Sequence, residues 1–86
     1  MIKVDLRGPG GLVLPLAHVA PTNAAGTVQF KDGNRNLDGP RQVIGGFAIG
    51  QLMFLGGGEH SITAVFTPAN PAEFKPSTSK ADKFRF

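Results

Sequence analysis

The sequence predicts an all-β protein of antiparallel strands, arranged as a sandwich or a small barrel. Two observations carry this prediction. Twelve Gly and seven Pro among 86 residues interrupt the chain at short intervals, so that no useful length of helical period remains. The pieces between these residues alternate apolar and polar side chains with a period of two, as half-buried strands do.

The strand pattern recurs in about seven segments. They are residues 2–6, 11–20, 26–33, 41–44, 47–55, 59–66 and 77–86. Asp32 and Gly33 end the third segment with a strong hairpin signal. Pro15 cannot donate to a ladder, so it predicts an edge or a bulge, and Gly50 predicts a bulge or a close backbone approach within a segment that is apolar on both faces.

The composition bounds the architecture to one domain, residues 1–86, near the lower limit of what folds alone. Hydrophobic residues make up 41% and charged residues 17%, which is typical of a globular chain. There is no Cys, so a disulfide framework and a Cys-ligated zinc site are excluded. The N-terminal segment MIKVDLRGPGG has no apolar region of signal-peptide length, no stretch approaches the length of a membrane span, and we expect no membrane association.

Three blocks of the sequence resemble the bacterial immunoglobulin-like repeat family, which is found in long surface proteins and in phage structural proteins. The blocks are AAGTVQFKDG (24–33), LGGGEHSITAVF (55–66) and FTPANPAEFKPSTS (66–79). They follow the order of the family and cover about half of the chain directly. The resemblance implies an immunoglobulin-like antiparallel β-sandwich of about seven strands without a disulfide. It implies less about function, because such modules have many roles.

The resemblance also implies a role for the glycine run before His60. In immunoglobulin-like sandwiches a large side chain ties down a corner at the start of the sixth strand, as in the tyrosine corner. We therefore expect Gly56, Gly57 and Gly58 to form the corner and His60 to take the place of the tyrosine. A phosphate-binding loop would need a following helix with Lys and Ser or Thr, whereas EHSITAVF continues as a strand.

The sequence predicts no catalytic residue, cofactor, metal or small-molecule substrate. No nucleophile, base and orienting group can be assembled around His60, and we expect His18 to face solvent. The segment DGNRNLDG (32–39) alternates Asp and Asn like the start of a calcium loop, but Leu37 and Val43 stand where that loop needs Gly and a carboxylate. Turn chemistry explains the same four residues, Asp32, Asn34, Asn36 and Asp38.

The segment GLVLPLAHVA (11–20) has two interpretations. Aligned with the family, its inward residues are Val13, Pro15, Ala17 and Val19, and its outward residues are Leu12, Leu14 and Leu16. In the alternative the phase is reversed and the leucines fill the core, since burying each contributes about 1.5–3 kcal/mol. Either phase leaves an apolar row on the outer face, which is a candidate contact surface for a partner.

The net charge of +3 is concentrated near the C-terminal end, and we assign Lys80, Lys83 and Arg85 to partner contact together with the leucines. No aromatic and basic platform accompanies these residues, so we expect no nucleic-acid binding. The expected partner is a protein, either a major capsid or tail protein or further copies of this chain.

Two settings fit a non-enzymatic structural or binding module of this kind. The initial Met, the single domain, the lack of a secretion signal and the complete last strand favour an accessory protein of a phage virion, decorating a capsid or a tail at the virion surface. The alternative is a repeat of a bacterial adhesin or stalk at the cell surface. A small enzyme or a calcium-dependent binder forms a third, separate class.

Overall fold

The structure is a computed structural model that describes the backbone of residues 2–5 and 12–85 and the side chains of residues 12–83 and 85. Within these residues the chain is all-β and contains no helix, so the predicted class is confirmed. Accordingly, no helix in the described part of the chain is long and apolar enough to cross a membrane. The end of the first predicted strand, Leu6, the start of the second, Gly11, and the end of the last, Phe86, lie outside the described residues.

Ten strands follow one another along the described chain. They are β1 (Ile2–Asp5), β2 (Leu12–Val13), β3 (Leu16–Val19), β4 (Gly26–Asp32), β5 (Arg35–Gln42), β6 (Phe47–Ile49), β7 (Met53–Phe54), β8 (Glu59–Pro68), β9 (Ser77–Thr78) and β10 (Asp82–Arg85). They form a three-stranded sheet in the order β1-β3-β6, a two-stranded sheet β2-β7, and a large sheet in the order β10-β8-β4-β5 with β9 also paired to β8. All of these pairs are antiparallel.

The inward faces of the sheets share one apolar core. The large sheet contributes Val28 and Phe30 from β4, which pair directly with Phe66 and Ala64 of β8. The three-stranded sheet contributes the small residues Ala17, Val19 and Ala48 to the same cluster. Because alternate residues of a strand point to opposite faces, this arrangement follows directly from the period of two in the sequence.

The hairpin predicted at Gly33 forms, with Asp32 opposite Arg35 and a two-residue turn between them. Gly33 has a φ of 59°, the left-handed conformation that such turns require. The following strand β5 is longer than predicted, because the sequence pattern indicated a turn over 32–39 and a strand only over 41–44. The register of β5 shifts between its pairing with Val28 and with Phe30, which marks a bulge.

Two predicted strands are each divided into two pieces at the same level of the molecule. β2 and β3 are separated at Pro15, and β6 and β7 are separated at Gly50. The amide of Gly50 donates to the carbonyl oxygen of Pro15 at 2.8 Å. A Cβ at Gly50 would lie 3.2 Å from the Pro15 ring and 3.3 Å from the Phe30 ring, so the close approach predicted at this glycine is confirmed.

The last predicted strand, 77–86, is divided at Ser79. The Ser79 amide donates to the Ala64 carbonyl oxygen, and the Ser79 hydroxyl accepts a hydrogen bond from the Ala64 amide, both at 2.9 Å. The same hydroxyl donates to the carbonyl oxygen of Lys80 at 3.1 Å. A buried side chain therefore takes the place of a backbone carbonyl in the ladder, and β9 and β10 pair with β8 on either side of it.

Candidate functional site

The segment that contains the three leucines adopts the phase in which the leucines point outward. Val13, Pro15, Ala17 and Val19 are buried, whereas Leu12 and Leu14 are 38% and 39% exposed and Leu16 is half-buried. The reversed phase, with the leucines in the core, is therefore wrong. Phe30 of the large sheet packs beside Gly50, where an added Cβ would lie 3.3 Å from its ring.

The neighbouring strands extend this apolar row across the sheet. Leu16 pairs with Ile49, His18 pairs with Phe47, and Leu12 pairs with Phe54. Cross-strand partners share a face of the sheet, and all three partners on β6 and β7 are exposed, Phe54 most of all at 69%. We call this surface the outer apolar face; it consists of Leu12, Leu14, Leu16, Phe47, Ile49 and Phe54.

His18 lies at one end of the outer apolar face and is exposed, as expected. Its ring stacks on Phe47 with the centroids 4.9 Å apart and an angle of 23° between the planes. At the same end, Ile44 forms an isolated bridge with Phe47 and is itself highly exposed. In the sequence, Phe47 and Ile49 belong to a segment that is apolar on both faces. Ala48 between them is buried, and because side chains alternate along a strand, Phe47 and Ile49 point outward.

The basic residues predicted to contact a partner lie elsewhere. Lys83 and Arg85 of β10 pair with Ser61 and Glu59, which point away from the core on the outer surface of the large sheet. Lys80 is exposed in the segment between β9 and β10. The structure therefore places the leucines on the opposite side of the molecule from Lys83 and Arg85, and one flat partner surface cannot contact both groups.

Arg85 is also partly neutralised by an acidic neighbour. Its guanidinium donates to the Glu59 carboxylate at 2.5 Å, and both side chains are more than two thirds exposed. Exposed pairs of this kind contribute about 0–1 kcal/mol to stability, because water screens them and both side chains lose freedom. Because Glu59 offsets the charge of Arg85, Lys83 contributes more than Arg85 to the positive potential of this surface.

The glycine run forms a bend between β7 and β8. Gly56 and Gly58 have φ values of 80° and 111°, which other residues adopt only with strain. A Cβ at either position would meet nothing within 4 Å, so the requirement for glycine is conformational and not one of space. Gly57 lies between them in the same bend.

His60 joins this bend to the β4–β5 hairpin. Its Nε2 lies 3.2 Å from the Gly56 carbonyl oxygen, and its Nδ1 lies 2.6 Å from Oδ2 of Asp32. The other carboxylate oxygen of Asp32 accepts a hydrogen bond from the Ser61 amide at 3.0 Å. The two side chains are only 10% and 20% exposed and close the end of the core between the sheets. Both ring nitrogens face acceptors, so the protonated ring satisfies both contacts.

The hydrogen bond with Asp32 raises the pKa of His60 above its ordinary value of 6.5, and the Gly56 carbonyl acts in the same direction against the effect of burial. Burial alone would raise the pKa of Asp32. The hydrogen bonds from His60 and Ser61, with the charges of His60 and Arg35, outweigh it and hold that pKa below 3.8. Each side chain therefore favours the charged form of the other, and the two form an ion pair at pH values below the raised pKa of His60 and above the lowered pKa of Asp32.

Asp32 is the partner of His60 that the sequence analysis missed. Asp32 follows Phe30 on the inward face of β4, and His60 precedes Ile62 on the inward face of β8. Two inward polar residues at strand ends are a weak signal, and only the β4–β8 register shows that the two ends coincide. The expectation that His60 ties down the glycine bend corresponds to its contact with Gly56.

The Asp and Asn residues of the segment 32–39 do not gather around one point where a cation could bind. Asp32 is bonded to His60, Asp38 forms an ion pair with Arg41, and Asn36 lies on β5 opposite Lys31. Within the described residues no group of three or more His, Asp or Glu side chains could hold a metal ion.

An open depression of about 620 Å³ adjoins the Asp32–His60 pair. Its rim carries Lys83, Arg85 and Glu59, so charges of both signs face it and neither an anion nor a cation is selected. The Nε2 atom of His60 is directed at the Gly56 carbonyl, so it is not poised to activate a nucleophile. The geometry of this pair is that of a structural lock.

Comparison of the chain with known protein families gives no match, and no curated protein or solved structure shows significant similarity to it. What this chain does must therefore be inferred from its own surfaces.

Proposed function

We propose that this chain is an immunoglobulin-like β-sandwich that acts as a non-enzymatic structural or binding module, docking onto a protein assembly through its outer apolar face. The single observation that carries the proposal is the exposure of that face. Burying a large apolar side chain contributes about 1.5–3 kcal/mol, and contiguous apolar patches on soluble proteins mark interaction sites.

The topology supports the immunoglobulin-like assignment. Joining the strand pieces on either side of Pro15, Gly50 and Ser79 reduces the ten strands to seven. The first, second and fifth of these seven then form one sheet, and the seventh, sixth, third and fourth form the other. In constant-type immunoglobulin domains the sheets are ABED and CFG, so only the fourth strand differs in its sheet. The bend tied by His60 precedes the sixth strand, as the tyrosine corner does.

The proposed setting is the surface of a phage virion, where the module decorates a capsid or tail. Many identical copies on a symmetric shell would each make one modest apolar contact, and their number would supply a stable decoration. The polar and basic outer surface of the large sheet, with Lys83 on it, would then face solvent or a neighbouring copy. Adhesion of this kind needs no catalytic group, cofactor or metal.

Leu14→Lys tests the proposal, with Thr67→Lys as the matched control. Both residues are solvent-exposed, and Thr67 lies on the outer surface of the large sheet. We expect Leu14→Lys to keep the β-sheet circular dichroism of the wild type but to lose copurification with intact particles, while Thr67→Lys retains both. A folded Leu14→Lys variant that still copurifies would refute docking through the outer apolar face.

The alternative setting, a repeat in a bacterial surface stalk, is favoured by one specific observation. β1 begins opposite Val19, whose amide donates to Gly46 at one end of the molecule, and β10 ends opposite Glu59 at the other end. The molecule is elongated, with extents of 41 × 21 × 18 Å. Strands that enter and leave at opposite ends are the geometry required for a linear array of domains.

Two further observations separate the settings. Genes for capsid or tail proteins beside the gene for this chain would support the virion. Additional copies of the GTVQF and HSITA motifs in a longer parent chain would support the stalk instead.

A further inference from the structure

We propose that the outer apolar face binds a second copy of this chain, face to face, about a two-fold axis that passes near Leu14 and Leu16. The inference rests on the proposed function and narrows it: the assembly that the outer apolar face joins is made of copies of this chain, and a second copy takes the place of a capsid or tail protein on that face. Three properties of the face carry it: its apolar side chains, its lack of net charge and its internal layout.

The exposed apolar side chains are gathered on one side. Together with the adjoining Ile44 and Leu52, the outer apolar face holds all seven exposed large apolar side chains of the described residues, each 38–74% exposed. Each partner in a standard interface buries about 800 Å². The polar rim of such an interface supplies the remainder. A second copy of the same face would therefore cover these side chains almost completely.

The charge distribution favours self-pairing through this face. The chain carries a net charge of +3, so two copies repel one another over most approaches. The six side chains that define the outer apolar face are uncharged, and β1 at its edge adds one acid and one base, Asp5 opposite Leu16 and Lys3 opposite His18. The outer surface of the large sheet instead carries Lys31 and Lys83. Two copies that meet through their apolar faces keep these lysines on the far sides of the pair.

The layout of the face is close to symmetric along the strand direction. Phe54 lies beside Leu12 at one end, and Phe47 lies beside His18 at the other. Leu14 and Leu16 lie midway between these ends. We place the two-fold axis in the plane of the interface, perpendicular to the strands at this midpoint. Rotation about it brings the Phe54 end of one copy onto the Phe47 end of the other, so that each aromatic residue meets the opposite end of an identical surface.

Cross-linking through single cysteines tests the position of the axis, because the chain contains no Cys of its own. With a short bis-maleimide reagent, Leu14→Cys should give covalent dimers, and Lys83→Cys on the opposite surface should give none. Leu12→Cys mixed with His18→Cys should cross-link more than either variant alone, because the axis places these two ends together. Equal yields from Leu14→Cys and Lys83→Cys, or no gain in the mixed sample, would overturn the proposed pairing.

The mass in solution tests the pairing itself. By analytical ultracentrifugation the wild type should show twice the monomer mass at high concentration, Ile49→Lys should show the monomer mass, and Thr67→Lys should behave as the wild type. A wild type that stays monomeric overturns self-pairing. If Leu14→Lys nevertheless abolishes particle association of that monomer, the partner is a different protein and the proposed function stands.

Discussion

The pair formed by His60 and Asp32 shows how one side chain can hold two distant parts of a small β-protein together. Asp32 ends β4 and His60 begins β8, and the imidazole reaches from that carboxylate to the Gly56 carbonyl in the bend. Both residues lie on the inward face, where an unpaired polar group would be costly. Each therefore satisfies the other while closing the end of the core.

This lock makes the stability of the protein depend on pH. Because the pKa of His60 is raised above 6.5, its contribution is fully present below 6.5 and is lost as pH rises through the folded-state value. The pKa of Asp32 is lowered below 3.8, so its contribution is present above 3.8 and is lost as pH falls through the folded-state value. The lock is strongest between these limits.

We predict that His60→Gln loses more stability in mild acid than in alkali. Urea unfolding at about pH 5.5 and about pH 8.5, on either side of the ordinary histidine range, should show the gap between wild type and variant narrowing at the higher pH. His18→Gln is the control, because that ring is exposed and stacks on Phe47. A gap that stays constant for His60→Gln would contradict ionisation of the lock.

The hydroxyl of Ser79 gives a second prediction at this scale. Ser79→Ala removes the acceptor of the buried Ala64 amide and should reduce the free energy of unfolding by about 1–3 kcal/mol, the usual penalty for an unsatisfied buried group. Ser77→Ala, two residues earlier in β9, should have a much smaller effect. Equal losses in denaturant unfolding of the two variants would show that the hydroxyl does not complete the ladder.

At the scale of strands, the break at Ser79 divides a strand within the large sheet, whereas the breaks at Pro15 and Gly50 separate the sheet β2-β7 from the sheet β1-β3-β6. Gly50 donates to Pro15, and Ser79 bonds to Ala64 through both its backbone and its hydroxyl, so the pairing continues past each irregularity. A broken edge strand also offers a poorer template to other chains, which limits edge-to-edge association of β9 and β10. Contact through a sheet face remains open to the protein.

The start of β4 depends on a glycine for packing. A Cβ at Gly26 would lie 2.3 Å from the Thr67 carbonyl oxygen and 2.9 Å from the Pro68 Cα, both backbone atoms of the paired strand β8. Gly26→Ala should therefore destabilise the protein by about 1–3 kcal/mol or more, as overpacking does.

Gly39→Ala is the matched substitution in the bulge of β5, where a Cβ meets nothing within 4 Å. We expect its effect to stay within about 0.5 kcal/mol. Thermal unfolding followed by circular dichroism compares the two variants directly. A Gly26→Ala variant as stable as Gly39→Ala would mean that β4 and β8 are not in close register at this end.

At the scale of the whole molecule, two pairs of features lie far apart: the outer apolar face and β10, and the start of the first strand and the end of the last. The outer apolar face and the basic β10 lie on opposite sides, so the protein has one surface suited to dry contact and another suited to water. The first and last strands also run out at opposite ends of a molecule 41 Å long. The first separation favours layered packing, and the second favours extension into arrays.

Fusion of two copies through a short flexible linker tests the end-to-end geometry, provided that both copies carry Ile49→Lys so that their outer apolar faces do not pair. We expect both copies to keep the unfolding midpoint of the single chain and the pair to approach twice its length in small-angle X-ray scattering, because the linker joins opposite ends. A longer linker, which allows the copies to fold back, is the control. A compact particle with the short linker would contradict the placement of the strand ends.

The amino-acid sequence alone determined the local features of this protein. The period of two predicted the strands, Asp32-Gly33 predicted the hairpin, and Gly50 predicted a close approach, because each depends on a few neighbouring residues. The sequence pattern over 32–39 misled, since turn-forming residues there continue β5 beyond the hairpin. Alternation could not choose between the two phases of residues 11–20, because apolar residues occupy both faces.

Only the tertiary structure decided which side chains meet. Asp32 and His60 are 28 residues apart, and their contact exists because the β4–β8 register brings the two strand ends together. Likewise, Leu12, Leu14, Lys83 and Arg85 are all exposed, but which side of the molecule each occupies follows from the stacking of one sheet on the other. Alternation assigns each residue to one face of its strand. Which distant strands pair, however, depends on the free energy of the whole core and is not set by a few neighbouring residues.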